Sequence, residues 1–219
     1  MSFYNVFLSK NITACVNRCI EMFIPPILAD RKIVAAFFNF LQGRGFRYFD
    51  VRENPASYPR GKRDSDYTTA QKNAVLQLLA GPTVLDVGCG SGSYIKFLAQ
   101  KDFDCIGVDP GCAPLEGTHI KMLRGFVKDF GFQPKSFDTV MSFKTLEHIP
   151  DAKAELAGWR VLARKRLILV LPRQRYRQFV YDGHINFYPD EYQLRLQLGL
   201  SPDAVVSRVS GEWLIYENL

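Results

Sequence analysis

The sequence predicts an α/β protein with a mostly parallel sheet of seven strands, ended by an antiparallel hairpin and preceded by a helical cap. Three observations carry this. From Thr83 onward short apolar runs alternate with helical periodicity, the pattern of parallel strands joined by crossover helices and covered on both faces. The run Thr83–Val87 enters Gly88-Cys89-Gly90-Ser91-Gly92 and then a helical stretch, so a strand–turn–helix stands at its end. Near the C-terminus, Ala204–Ser210 and Trp213–Glu217 flank Ser210-Gly211, a hairpin signature.

Residues 1–42 read as two amphipathic helices. Val6, Leu8, Ile12, Cys15, Val16, Cys19, Ile20, Phe23 and Ile24 recur at mixed three- and four-residue spacing until Pro25-Pro26 breaks the run. A second helix from about Ala29 to Leu41 stops at Gly43 and Gly45. They are expected to pack as a cap rather than lie on a membrane, because only Lys10 and Arg18 give the first helix positive charge. Residues 44–68 are polar and turn-rich, a connecting segment or lid. The expected organisation is a cap and lid over 1–68 and a main α/β domain over 69–219.

In that domain a helix over 69–80 ends at Gly81-Pro82. Strand one is Thr83–Val87, with its helix over Tyr94–Gln100. Strand two is Asp104–Val108, closed by Asp109. A weak third strand covers 118–124, after a short link, Pro110–Thr118, in which Pro114 and Gly117 oppose a helix. Strand four is Phe137–Ser142. A helix follows over 152–162, then a fully buried strand five, Arg166–Leu171, closed by Pro172. A last helix lies near 190–198, before the hairpin.

The chain of 219 residues carries a formal charge of +6 and five cysteines without a C-x-x-C pair. Buried thiols in a reducing compartment are expected, and no metal site. No convincing secretory signal or membrane-length apolar run is visible, so the cytoplasm is the expected location. Arg160, Arg164, Lys165, Arg166, Arg173, Arg175 and Arg177 form the densest basic region, and Arg60, Lys62 and Arg63 a second. Either they are a solvated face or they draw an anionic partner.

The spacing G-x-G-x-G differs from the G-x-G-x-x-G of dinucleotide folds, and Asp86 sits two residues before the first glycine. Further matches follow in order. Gly125–Asp138 aligns without gaps on a third-to-fourth-strand segment, Ser136-Phe137-Asp138-Thr139-Val140 fits S-F-D-x-V, and Leu146-Glu147-His148-Ile149-Pro150-Asp151 fits L-E-H-x-x-D. From about Thr83 to Pro189 the chain resembles the class I S-adenosylmethionine (SAM) methyltransferases, in particular the small UbiE/UbiG-like group. The resemblance implies a Rossmann-like sheet, SAM as cofactor and methyl transfer as reaction.

It also implies the cofactor residues. Asp86, Gly88, Cys89, Gly90 and Gly92 would hold the methionine portion and ribose edge, with Cys89 a small buried spacer. Asp109, followed by Pro110, would accept the ribose hydroxyls. Phe126 and Val127 would flank the adenine. The family usually has Asp where Phe126 stands; either backbone and packing hold the adenine here, the preferred reading, or Asp129 substitutes. Asp138 is expected to orient a turn.

Methyl transfer often needs one proton removed, a task suited to histidine. His148 and His184 are the candidate catalytic residues, each equally consistent with a packing role; His119 is expected to be peripheral. Tyr58, Tyr67, Tyr181 and Tyr188 are candidates to line the acceptor pocket. The chain lacks N/D-P-P-Y/F/W after strand four and a Pro-Cys nucleophile, which disfavours two base-methylating classes. The expected acceptor is a small molecule or a glycan- or lipid-linked group, methylated on oxygen or nitrogen, with the basic stretch hinting at an anionic one. The alternatives are an RNA methyltransferase and a non-catalytic SAM-binding partner protein.

Overall fold

The computed structural model describes residues 49–50, 67–180 and 183–219. The expected helices within 1–42, most of the segment 44–68, Tyr58 and Tyr181 lie outside the described residues. The chain forms two compact units, Met1–Tyr58 with Tyr176–His184, and Pro59–Arg175 with Ile185–Leu219. In the first, β1 (Phe49–Asp50) pairs antiparallel with β8 (Phe179–Val180).

The second unit is built on an eight-stranded sheet. Its strands are β2 (Thr83–Val87), β3 (Asp104–Val108), β4 (Leu115–Gly117), β5 (Ile120–Leu123), β6 (Phe137–Phe143), β7 (Ala163–Leu171), β9 (Val205–Val209) and β10 (Glu212–Asn218). Their order is β4-β5-β3-β2-β6-β7-β10-β9. β5, β3, β2, β6 and β7 run parallel, while β10 and β9 close one side as the expected antiparallel hairpin. Ser210 and Gly211, both at positive φ, form its turn.

The eighth strand is the one the sequence reading lacks. A third of the link Pro110–Thr118 forms β4, an edge strand antiparallel to β5, with His119 in the left-handed region of the intervening turn. Pro114 opposes helix in the residue before it, and Leu115 and Glu116 are left to pair along the open edge of β5.

The helices stop and start where their end groups dictate. α1 (Thr69–Leu78) begins at a capping box in which the Thr68 hydroxyl accepts the Gln71 N–H and Gln71 reaches back to the Thr68 N–H. α2 (Ser93–Ala99) follows Gly92 directly. α3 (Ala152–Leu162) is capped by Asp151 and buries Ala152, Leu156, Trp159 and Leu162, a three- and four-residue spacing that lays one stripe on the sheet. α4 (Glu191–Leu198) is capped by Asp190 and ends at Gly199 in the left-handed conformation. No described helix is long and apolar enough to cross a membrane.

Alternation along the strands sorts the core into two layers. Leu167, Leu169 and Leu171 of β7 join Leu85, Val87, Trp159, Leu194 and Ile215 on one face. Ile168 and Val170 join Val84, Tyr94, Ile95, Cys105 and Leu214 on the other. This two-sided burial is why β7 reads as an unbroken apolar run.

The basic stretch is largely tied down. Arg160 donates from Nε and Nη2 to the carboxylate of Glu217, at 2.6 and 3.0 Å. Arg164 and Lys165 both pair with Asp138. Arg166 binds Asn218 and the Leu78 carbonyl, and Arg173 binds the Pro189 carbonyl and lies over the Trp213 ring. Glu217 is 2% exposed and also accepts the Ser201 N–H at 2.9 Å, so it ties β10 to α3 and to the loop after α4. These bonds hold its carboxyl below the ordinary range against the opposing effect of burial.

Replacing Glu217 with Ala strands the Arg160 guanidinium and should cost about 3 kcal/mol of stability at neutral pH, measured by urea unfolding. Because the folded carboxyl titrates below the unfolded one, the stabilisation is present above the unfolded value and lost as pH falls through the folded value. The difference between wild type and Glu217→Ala should therefore shrink on acidification.

Candidate active site

Ligands in such sheets bind at the carboxyl ends of the strands where the chain order reverses. Here the reversal is at β2: the chain builds outward through β3 and β5 on one side, then returns to β6 on the other. The ends of β2, β3 and β6 therefore frame the site.

The loop after β2 continues the sheet's hydrogen bonding. The N–H groups of Gly88 and Cys89 both donate to the Val108 carbonyl, at 2.8 and 3.3 Å, and Gly92 donates to the Cys89 carbonyl at 2.8 Å. Gly88, Gly90 and Gly92 all sit at positive φ. At Gly88 a side chain is also excluded by space, since an added Cβ would lie 2.0 Å from Thr145 Oγ1. Thr145, in the turn after β6, and Ser142 at its end both donate to the Val87 carbonyl. The loop is clamped from both flanking strands. Thr145 is a contributor that the sequence reading missed.

Asp109, at the end of β3, holds the same loop from the other side. Its Oδ2 accepts the Gly90 N–H at 3.1 Å and its Oδ1 accepts the Gly111 N–H at 2.6 Å. Pro110 is exposed in the turn that follows, and Cys89 is buried against Gly107 of β3. Asp86 is different. It is 3% exposed, on the sheet face that carries Val84, Tyr94 and Cys105, and its Oδ1 has no hydrogen-bond partner. Burial, with the Asp109 charge nearby, pushes its carboxyl up to about 8. Burial also pushes the Cys105 thiol up to about 12 and that of Cys89 further.

Phe126 is 47% exposed and its N–H donates to Asp129 Oδ2 at 2.8 Å. One oxygen of Asp129 is thus directed onto the local backbone. Val127 starts the short 3₁₀ turn Val127–Asp129 and packs against the core.

After β6 the chain makes a 3₁₀ turn, Leu146–His148. The Glu147 carbonyl accepts the N–H groups of Ile185 and Asn186, and the Asn186 side chain donates to the carbonyls of Leu146 and Ile149 at 2.9 and 2.7 Å. This network fixes the turn that carries His148, which is half-buried. His184 is buried and falls in the first unit, within the segment Tyr176–His184. Tyr188, a candidate to line the acceptor pocket, is instead fully buried among core side chains; its place one residue before Pro189 gave no sign of which way the ring turns. His119 is on the β4–β5 turn, its Nδ1 2.6 Å from Asp104 Oδ1. Asp138 pairs with Arg164 and accepts from Lys165 and from the Thr83 hydroxyl and N–H; Lys165 and Thr83 hold its carboxyl low despite burial. It fastens the start of β6 to the start of β2, at the opposite end of these strands from the glycine loop.

The fold and this glycine loop define a class of SAM-binding methyltransferases, and the comparisons agree. A family model described as a methyltransferase domain matches residues 60–197. The chain belongs to this methyltransferase-domain family, within the class I SAM-dependent methyltransferases. It is 39% identical over 83 residues to a ubiquinone biosynthesis O-methyltransferase of Pseudomonas paraeruginosa, and 32% identical over 90 residues to one from Saccharophagus degradans. These matches cover 33% and 36% of this chain and 36% and 38% of the relatives; the chain thus matches little more than a third of their length. Among solved structures, a Pyrococcus horikoshii protein matches with TM-score 0.55 and 14% identity over 76% of this chain and 96% of its own. The Burkholderia thailandensis 1,6-didemethyltoxoflavin-N1-methyltransferase, solved with S-adenosylhomocysteine, matches with TM-score 0.52 and 19% identity over 68% of this chain and 76% of its own. These two show the shared fold.

The cofactor of this class is SAM, and the residues fit it. A partnerless buried carboxyl oxygen on Asp86 is suited to a cationic group, and the glycine loop has no side chains to hold a ligand away. One consequence is testable without any acceptor. The folded Asp86 keeps its proton to about pH 8, whereas an unfolded aspartate loses it near 3.9. The folded state therefore binds the extra proton between these values, and stability falls as pH rises across that window. Asp86→Asn mimics the protonated form, so its stability advantage over wild type should grow from about pH 4 to about pH 8 and then level off. Urea unfolding at pH 5 and pH 8.5 would measure it; equal differences at both would contradict the raised carboxyl.

Proposed function

We propose that the chain transfers a methyl group from SAM to an oxygen or nitrogen of a small-molecule or glycan- or lipid-linked acceptor. The observation that carries the cofactor half is the pairing of Asp86 and Asp109 on adjacent strand ends, one without a partner and one anchored. Asp86 would take the α-ammonium of the cofactor. Asp109 would take the ribose hydroxyls: a carboxylate has about four lone-pair sites, and the Gly90 and Gly111 N–H groups use two. Backbone and packing at Phe126 and Val127 would hold the adenine, since Asp129 caps its own turn. When bound, the cofactor supplies an electrophilic methyl on sulfur, and the protein's part is alignment and proton removal. His148 and His184 are the proposed bases.

Oxygen is the preferred acceptor atom, because the sequence relatives are named as O-methyltransferases. An RNA acceptor loses support from the basic stretch: the charges of Arg160, Arg164 and Lys165 are paired with Glu217 and Asp138.

Calorimetric titration with SAM and S-adenosylhomocysteine should give binding of both, and Asp109→Ala should weaken it at least tenfold, about 1.4 kcal/mol. Unchanged affinity in that variant would overturn the proposed cofactor placement. With an acceptor found by screening phenolic, glycan and lipid compounds, His148→Ala or His184→Ala should cut turnover about 10²-fold while leaving cofactor affinity nearly intact. Full turnover in both variants would remove both histidines from the chemistry.

A further inference from the structure

The connection from β5 back to β6 runs over residues 124–136 and forms one short turn of 3₁₀ helix, Val127–Asp129. No long helix covers the sheet there, and a cleft of about 240 Å³ stays open at the amino ends of the strands. Thr83, Asp104, Ile120 and Phe137 line it, and these are the first residues of β2, β3, β5 and β6. The cleft therefore lies at the opposite end of the sheet from the glycine loop.

The ladder decides which side chains face it. Residues paired in register project to the same face of a sheet. Ile106 pairs with Lys121, and Lys121 with Glu116, so these three share a face with Asp104, two residues before Ile106. Leu85, the register partner of Ile106, carries that face into the core beside Phe137. Ile106 and Phe137 give the cleft an apolar floor.

Its rim is two ion pairs. His119 Nδ1 is 2.6 Å from Asp104 Oδ1, and Lys121 Nζ is 3.2 Å from Glu116 Oε1. The bond to Asp104 raises the His119 pKa from its ordinary value, toward the charged form. Both pairs are exposed, so each adds little stability and opens at little cost. The lining also holds the Ser136 hydroxyl, which is buried and has no hydrogen-bond partner among the described residues.

These groups narrow the ligand. A lone anion meets an acid beside each cation of the rim, and a lone cation meets a cation beside each acid. A zwitterion has neither conflict. Its ammonium can turn to Asp104 and Glu116 and its carboxylate to His119 and Lys121, with the Ser136 O–H as a further donor. The floor then takes an apolar side chain of a few carbons, whose burial adds to binding.

We propose that this cleft is a second binding site, separate from the glycine loop, for a free α-amino acid with an apolar side chain. It stands whether or not the methyl acceptor is as proposed above.

The test is calorimetric titration of the full chain with L-leucine, with isocaproate, which lacks its ammonium, and with isoamylamine, which lacks its carboxylate. Wild type should bind L-leucine, and each analogue about tenfold more weakly. Lys121→Gln removes one exposed charge and Ser136→Ala one hydroxyl, so both keep the fold. Each should weaken L-leucine about fivefold and leave the affinity for S-adenosylhomocysteine as in wild type. Unchanged L-leucine affinity in either variant overturns the proposal. So does displacement of L-leucine by S-adenosylhomocysteine, which would put the amino acid at the glycine loop. Equal affinity for the three probes, or no binding of L-leucine by wild type, overturns it as well.

Discussion

The parallel ladder between β2 and β3 does not stop where the strands do. It pairs Asp86 with Gly107 and Val87 with Val108, and then the Val108 carbonyl takes the N–H groups of Gly88 and Cys89. The loop is thus an extension of the sheet, bent by residues at positive φ. That extension sets Asp109 against Gly90, aims the loop at the first turn of α2, and leaves Asp86 underneath with no donor of its own. On the opposite flank, β6 adds Ser142 and Thr145, whose hydroxyls reach the Val87 carbonyl. A site held on both sides in this way is preorganised by backbone rather than by long side chains, and little needs to be ordered when a ligand arrives.

The carboxyl of Asp86 shows what such a site demands of the free protein. A buried acid without a partner is costly when ionised, so the free protein keeps it neutral. A cationic ligand group reverses that preference. The same residue that lowers the stability of the empty fold in mildly alkaline solution is then the one that rewards occupancy, a trade seen where binding residues are placed against the interests of packing.

Much of the fold was legible in the sequence because burial on both sheet faces writes continuous apolar runs. β2, β3 and α3 begin and end at the residues the pattern marks, and the hairpin turn falls at Ser210-Gly211. β4 was not legible, since its three residues are exposed and carry no alternation. In the site, the glycine loop and Asp109 could be read from spacing. The hydrogen bond between the Tyr67 and Ser93 hydroxyls could not, because it joins residues from different elements through groups that have no periodicity. The partners of the basic stretch were not legible for a related reason: a run of arginines in sequence says nothing of Glu217 and Asp138, which come to it from other strands. Tyr188 likewise belongs to a motif-like stretch, yet its ring went to the core.

The strand order carries a consequence for how this protein is made. β10, near the end of the chain, is inserted between β7 and β9 and pairs with β7 from Trp213 to Asn218. Until residue 218 has left the ribosome and its tunnel, β7 has one bare side, and Leu167, Leu169 and Leu171 lack their neighbours on β10. A nascent chain therefore waits with an apolar, unpaired strand edge, the kind of surface that recruits other chains. The Arg160 guanidinium, already synthesised in α3, waits with it, since Glu217 arrives in that same strand. Folding of this sheet is completed after translation of that strand, and the interval before it is when the chain most needs protection from its neighbours.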